Sequence, residues 1–142
     1  MSINHHINKM KEFIEKYPLL NELVNIDNYD IDPVSYGLFY NGQQIINETK
    51  DVLGNKLINK RISFVFYVID VTMDNYMRLD NIGFLDELIE WIENSKEKPI
   101  FGDRPNEEVY ELSNNMLFRD DNKIGTYQLQ INVTFYKEVK NG

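Results

Sequence analysis

The 142-residue chain contains no cysteine, only two histidines and a single tryptophan. The lack of cysteine excludes disulfides, thiol nucleophiles and cysteine-based zinc sites, and it favours a cytosolic compartment. Covalent staples are also unnecessary, because a chain of this length buries roughly 68–70% of its unfolded surface. We therefore predict one domain that spans residues 1–142.

Long hydrophobic runs and excess positive charge are also missing. The longest apolar run, Phe64–Ile69, is far too short to cross a membrane, and the first residues lack the apolar segment of a signal peptide. The net charge of −8 argues against a protein that grips nucleic acid, because phosphate contacts require a basic face. We expect no membrane association and no specific DNA binding, although DNA is able to pass an acidic surface without adhering.

Patterns of catalytic and metal-binding residues are scarce as well. None of the five serines lies in a G-x-S-x-G context, and the seven glycines are scattered along the chain. His5 and His6 are adjacent in a predicted exposed helix, where neighbouring side chains point about 100° apart and do not easily share a metal ion. Asp120 and Asp121 lie in a predicted hairpin tip without calcium-loop spacing. We expect no catalytic residue, no cofactor and no metal ion.

The N-terminal segment predicts a helix. Ile7, Met10 and Ile14 recur at helical spacing and form one apolar face. Pro18 follows, and its missing N–H group ends or kinks a helix.

Three extended segments follow the first helix. They are separated by Asn41-Gly42, a dipeptide that favours a tight hairpin because both residues tolerate positive φ, and by a second turn at Gly54-Asn55. The third segment is apolar on both faces, which predicts a central strand that is covered on both sides. We expect a protruding hairpin at about 43–61. The predicted strands are Val34–Tyr40, Gln43–Val52 and Arg61–Val71.

The segment Met77–Glu93 predicts a second helix with a wide apolar face and the only tryptophan, Trp91. Asp80 or Asn81 is expected to cap its N-terminus with a side-chain oxygen. The stretch from Asp70 to Glu93 carries six of the eight net negative charges of the chain. The predicted stripe consists of Ile82, Leu85, Ile89 and Ile92, widened by Phe84, Leu88 and Trp91.

Two further strands are expected at about 109–118 and 126–138. The last one alternates strictly, with Tyr127, Leu129 and Ile131 on one face and polar residues between them, which is typical of a half-buried antiparallel strand. The predicted order is α-β-β-β-α-β-β. This order indicates an α+β domain, a mostly antiparallel sheet with an N-terminal helix and a second helix packed on it.

The segment Ser35–Gly42, SYGLFYNG, resembles the early strand motif S-Y-G-F-Y-x-x-G of phage proteins called minor capsid proteins, which occur in tailed phages of Gram-positive hosts. The resemblance covers roughly residues 34–138 and departs at the longer 43–61 region and at the loop Phe101–Asn106. Three later segments agree with the family in order and spacing: Phe64–Asp70, Arg78–Glu93 and Tyr127–Tyr136.

This family is similar to tail terminators, also called tail-completion or head–tail joining proteins. The resemblance implies a tail-terminator-like fold and a homohexameric ring that caps the head-proximal end of the tail tube, stops its polymerisation and joins it to the neck or head. It implies a structural, non-enzymatic protein of the bacteriophage virion or of a phage-tail-like particle, assembled in the host cytoplasm. The implied partners are further copies of the chain, the tail tube and any sheath, the neck or connector protein, and DNA that passes through without specific binding.

Two surfaces of such a ring have candidate residues in this sequence. The lumen requires acidic or neutral polar side chains, because they keep phosphate away from the wall. A head-to-tail interface that closes into a ring requires two complementary patches, for which a basic cluster and aromatic residues are available. The candidate lumen residues are Asp86, Glu87, Glu90, Glu93, Gln128 and Gln130, and the candidate interface residues are Lys56, Lys60, Arg61, Tyr36 and Phe39.

Two other functions stay open on the sequence alone. One is a neck, connector or adaptor protein of the same virion, which particle symmetry would separate from a tail terminator. The other is a small acidic ligand-binding domain or enzyme in which Asp70, Asp74 and Tyr76 line a pocket. That function requires a defined cleft with convergent polar groups.

Overall fold

One sheet organises the chain in a computed structural model that describes residues 3–18, 25–26, 35–71, 75–119 and 124–141. The elements are α1 (Ile3–Glu15), β1 (Asn25–Ile26), β2 (Ser35–Lys50), β3 (Lys56–Val71), α2 (Asn75–Asn94), a 3₁₀ turn (Pro105–Glu107), β4 (Val109–Arg119) and β5 (Ile124–Val139). Within the described residues the sheet has five strands in the order β1-β2-β3-β5-β4. The pairs β2–β3, β3–β5 and β5–β4 are antiparallel, whereas the short β1 runs parallel to β2.

Both described helices pack on the same face of the sheet. The predicted alternation of β5 is confirmed, because Tyr127 through Phe135 bury every second side chain. On β3, Ile62, Phe64, Phe66 and Val68 join the core, and Val65 on the other face is also buried. The helices contribute the predicted stripes where their side chains are described, although Leu88 rather than Ile89 lies at the centre of the α2 stripe. The predicted stripe residue Ile82 lies outside the described side chains. The result is the expected α+β architecture. The helical part of the core comprises Ile7, Met10, Phe13, Ile14, Tyr17, Leu85, Leu88 and Ile92.

The prediction that β3 is covered on both sides is wrong for the described elements. Neither described helix packs on its second face, which we call the open face. Val65 is 7% exposed on this face. The ring of Phe39 meets that of Tyr67 edge-on at 5.0 Å, so aromatic packing within the layer accounts for the apolar character of this face. The open face includes Phe39, Ser63, Val65, Tyr67, Gln128, Gln130 and Asn132.

The hairpin expected at Asn41-Gly42 is also wrong. Strand β2 runs through this dipeptide, and its pairing with β3 shifts register between Tyr40 and Gln43. Gly42 has φ +109°, so the residue serves a β-bulge that needs the same positive φ as a tight turn. The turn predicted at Gly54-Asn55 is confirmed, with Gly54 at φ +86°.

Helix α2 begins earlier than predicted. It starts at Asn75, so Asp80 and Asn81 lie inside the helix instead of capping it. The upstream residues Met77–Leu79 have good helix propensity, which allows the helix to extend towards its N-terminus.

The predicted 43–61 hairpin is part of a wider element. Strand β5 follows β3 over its whole length, with Lys56 opposite Val139. Residues 43–50, 56–61 and 134–139 therefore form a three-stranded extension, which we call the distal ribbon. Every residue from Gln43 to Lys50 is exposed, and no strand among the described residues pairs with the outer edge of this segment.

The loop after α2 is tied to the sheet. Phe101 is 6% exposed and joins the core, and the carboxylate of Glu108 accepts hydrogen bonds from the backbone N–H groups of Phe101 and Gly102 at 2.9–3.1 Å. A Cβ at Gly102 would come within 2.3 Å of the Tyr136 carbonyl oxygen, so the loop approaches β5 more closely than a side chain allows.

Leu88→Ala should test the packing of α2 on the sheet. The side chain is fully buried, and its truncation should lower the free energy of unfolding by about 2–5 kcal/mol through lost burial and a residual cavity. Leu53→Ala, at a residue that is 72% exposed, is the matched control and should change stability by less than about 0.5 kcal/mol. Urea unfolding followed by circular dichroism measures both, and equal effects would contradict the assigned packing.

Candidate interaction surfaces

The acidic residues of α2 lie on its outer surface. Asp86, Glu87, Glu90 and Glu93 are all exposed, because the apolar positions between them turn towards the sheet. Asp86 Oδ1 accepts a hydrogen bond of 2.7 Å from Asn114 Nδ2, which links the helix to β4. The other carboxylates form a negative strip that faces away from the core.

A groove of about 360 Å³ lies within this strip. Trp91 contributes its apolar wall, and its ring is fixed by stacking on Phe13 at 4.9 Å and by contact with Tyr17 at 5.4 Å. We call this site the Trp91 groove. Its lining residues are Glu87, Glu90, Trp91, Asn94 and Ser95.

The carboxamides of β5 lie on the open face. Gln128 is opposite Tyr67 on β3 and Gln130 is opposite Val65, so uncharged polar groups run beside the aromatic part of this face. Ser113 Oγ on β4 lies 3.5 Å from Gln130 Oε1, at hydrogen-bond distance. This row is half-buried and carries no formal charge.

The structure does not bring the two groups of candidate lumen residues together. The four acidic residues lie on the outer surface of α2, whereas Gln128 and Gln130 lie on the opposite side of the sheet. The wall of a ring lumen can therefore contain the acidic residues or the two glutamines, but not both. The sequence could not reveal this, because helix stripes and strand alternation each define faces without showing which faces meet.

Tyr36 was wrong as an interface candidate. It is 3% exposed, and its ring stacks on Phe66 at 5.9 Å and on Phe84 at 6.0 Å. The residue belongs to the core because its position in β2 turns it towards the helices. Phe39 lies on the open face and keeps part of its surface accessible.

The basic candidates lie in the distal ribbon but do not form one patch. Consecutive residues of a strand point to opposite faces, so Lys60 and Arg61 lie on different sides of β3. Lys56 Nζ pairs with a Glu48 carboxylate oxygen at 3.2 Å. With its turn and the residue after β5, the ribbon carries six basic and three acidic residues, a local excess of positive charge in an acidic protein.

The turn at residues 51–55 is held by side-chain hydrogen bonds. Asp51 Oδ1 accepts from the N–H groups of Leu53 and Asn55, both at 2.9 Å. Asn141 donates from its backbone N to Asn55 Oδ1 and from its side chain to the Leu53 carbonyl, again at 2.9 Å. The turn nevertheless leaves Val52 fully exposed and Leu53 72% exposed.

The side chain of His6 is buried, although it was predicted to lie on an exposed helix. Its side chain is 7% exposed and packs against Phe101 at 5.2 Å. Burial and the nearby charge of Lys9 lower the pKa of its imidazole below the usual value. A small cleft of about 160 Å³ beside it is also lined by Gln43, Lys60 and Lys137.

The alternative pocket of Asp70, Asp74 and Tyr76 lies outside the described side chains, and so do Asp120 and Asp121. Over the described residues, no group of three or more histidines and acidic residues lies close enough to hold a metal ion. The supporting roles of Phe101 and Glu108 were missed by the sequence analysis. No periodic pattern identifies them, since both lie in or beside an irregular loop.

The chain matches no protein-family model and no curated protein sequence. In the part of the chain that is described, no helix combines the length and the apolar character needed to cross a bilayer.

The burial of His6 predicts a pH dependence of stability. Since its pKa is lower in the folded protein, the unfolded chain binds the proton more tightly, and the free energy of unfolding should fall as pH drops below about 6.5. His6→Phe should remove this contribution, whereas His5→Phe at the exposed neighbour should retain it. Urea unfolding between pH 5 and 7.5 provides the measurement, and an unchanged slope in His6→Phe would contradict the assignment.

Proposed function

We propose that this chain is a non-enzymatic structural protein of a tailed phage or phage-tail-like particle, a tail terminator that forms a ring at the head-proximal end of the tail tube. The resemblance of residues 34–138 to minor capsid proteins supports this proposal, and so does the α+β architecture. In this assembly the ring stops tube polymerisation and presents a surface to the neck.

The observation that carries the proposal is the open face of the sheet. Neither described helix packs on it, and its β5 side presents a row of uncharged amide and hydroxyl groups beside a patch of Phe39, Val65 and Tyr67. A protein that acts by shape needs a rigid, extended surface of this kind, and a central strand paired along both edges provides one. Uncharged amide and hydroxyl groups hold phosphate more weakly than lysine or arginine side chains do, which suits the wall of a channel that conducts DNA.

We assign the lumen to the Gln128 and Gln130 side of the subunit. The carboxylates on α2 lie on the opposite side, where they are available to a neighbouring subunit or to solvent. The aromatic patch around Phe39 borders the carboxamide row and is a candidate contact with the tube or the next subunit. Six copies are expected from the resemblance.

Deletion of the coding sequence from the phage or particle that carries it should yield tail tubes of irregular, excessive length that fail to join heads. The physical reason is that an uncapped tube end continues to add subunits. Negative-stain electron microscopy measures the length distribution. Normal tails in the deletion would contradict the proposal, and correct tail length with defective necks would favour the adaptor function instead.

The lumen assignment predicts a charge effect. Gln128→Lys with Gln130→Lys should leave tail length normal but reduce DNA delivery at least about tenfold, because positive groups on the wall attract phosphate. Gln128→Glu with Gln130→Glu is the matched control and should stay near wild type. Infectivity per DNA-filled particle is the measurement, and equal losses in both pairs would contradict a charge-sensitive lumen.

A further inference from the structure

We infer that the turn at residues 51–55 of one copy docks into the Trp91 groove of the next copy. This inference rests on the proposed function only in that both require self-association. It identifies the two surfaces that meet. The exposed turn, the groove and the distribution of charge support it.

The turn is preorganised for binding. Asp51 and Asn141 hold the turn through four hydrogen bonds of 2.9 Å, three of them to its backbone, yet it presents the apolar side chains of Val52 and Leu53 to solvent. A segment that is already ordered loses little entropy when it binds, so its apolar contacts contribute more fully to affinity. Exposed aliphatic side chains on a rigid turn are therefore suited to insert into a partner's groove.

The Trp91 groove has the chemistry to receive this turn. The indole ring supplies apolar surface and is held in place by Phe13 and Tyr17. The groove, of about 360 Å³, is shallow and open to solvent, which suits one or two aliphatic side chains of a partner rather than an enclosed ligand. Glu87 and Glu90 place carboxylates around this apolar wall.

Charge complementarity favours a second copy as the occupant. Exposed Lys50 and Lys140 lie near the turn, in the basic part of the chain, whereas the groove lies in the acidic strip of α2. Opposite charges around an apolar contact raise the association rate and disfavour incorrect pairings. The net charge of −8 makes a polyanion a poorer match, because the rest of the surface would repel it.

The symmetry of the contact follows from the two patches. The turn and the groove are different surfaces of one chain, so the contact is heterologous, and an open assembly keeps one free turn at one end and one free groove at the other until a ring closes. An isologous dimer, which pairs the same surface of both copies, would leave no such unmatched turn and groove.

The test uses two variants of the full chain. The turn variant, Val52→Ser with Leu53→Ser, removes apolar contact at exposed positions, and Ile45→Ser with Ile46→Ser at exposed positions of β2 is its control. The groove variant, Glu87→Lys with Glu90→Lys, reverses two charges, and Glu12→Lys with Glu111→Lys makes the same change at exposed positions elsewhere.

Sedimentation velocity and native mass spectrometry should show self-association of the wild type and of both controls, weakened at least about tenfold in the turn and groove variants. The chain has one tryptophan, so its fluorescence should change with concentration in the wild type and not in the turn variant. An equimolar mixture of the turn and groove variants retains one intact contact per pair and should form dimers but no larger species.

Four results would overturn the inference: a wild type that stays monomeric, association of the turn variant that matches its control, association without a fluorescence change, or closed rings in the mixture. Duplex DNA bound by the wild type but not by the turn variant, without self-association, would instead identify a nucleic-acid surface. Rings that persist in both variants refute this contact and leave the tail-terminator proposal standing. Normal tails in the deletion refute that proposal and leave a measured turn–groove contact intact.

Discussion

The pairing of β3 with β5 is the constraint on which the remaining structure depends. Their register runs without a shift from Lys56 opposite Val139 to Val71 opposite Ile124. Since strand side chains alternate, this register places Phe64 and Phe66 beside Ile131 and Leu129 on one face, where the helices cover them. A slip of one residue would move the buried set to the other side, so the hydrophobic pattern and the pairing determine each other.

The β3–β5 pairing also divides the molecule into two different sides. Among the described residues, the helical side buries the hydrophobic core and presents the carboxylates of α2 outwards. The other side keeps a flat sheet surface with an aromatic patch and a carboxamide row. A subunit with two different sides can contact a neighbour and face a channel at the same time, which is the arrangement required by a ring.

The β3–β5 pairing continues beyond the helices and forms part of the distal ribbon. Strand β5 pairs with β3 there, and Asn141, which follows β5, holds the 51–55 turn by hydrogen bonds. The turn is therefore rigid although it lies away from the core. Strand β2, whose outer edge beyond β1 is unpaired among the described strands, has two register irregularities in its pairing with β3, near Gly42 and near Ile46. Such irregularities discourage indiscriminate strand pairing and leave the turn as the more selective contact surface.

Local patterns in the sequence were sufficient to predict the helices, the last two strands and the fold class. The spacing of Ile7, Met10 and Ile14 and the alternation of β5 follow from helix and strand geometry, which each segment carries in its own residues. The Gly54 turn is equally local, because positive φ is a property of the residue itself.

Which side of each element is covered, and by what, depends on residues far apart in the chain. Tyr36 became core because Phe84 of α2 covers it, and His6 was buried because Phe101 packs on it from a loop ninety-five positions away. Asn41-Gly42 formed a bulge rather than a turn because β3 continues beside it. The two groups of candidate lumen residues were separated by the sheet for the same reason: periodicity defines the faces of one element, whereas packing energy between elements selects the face that is buried.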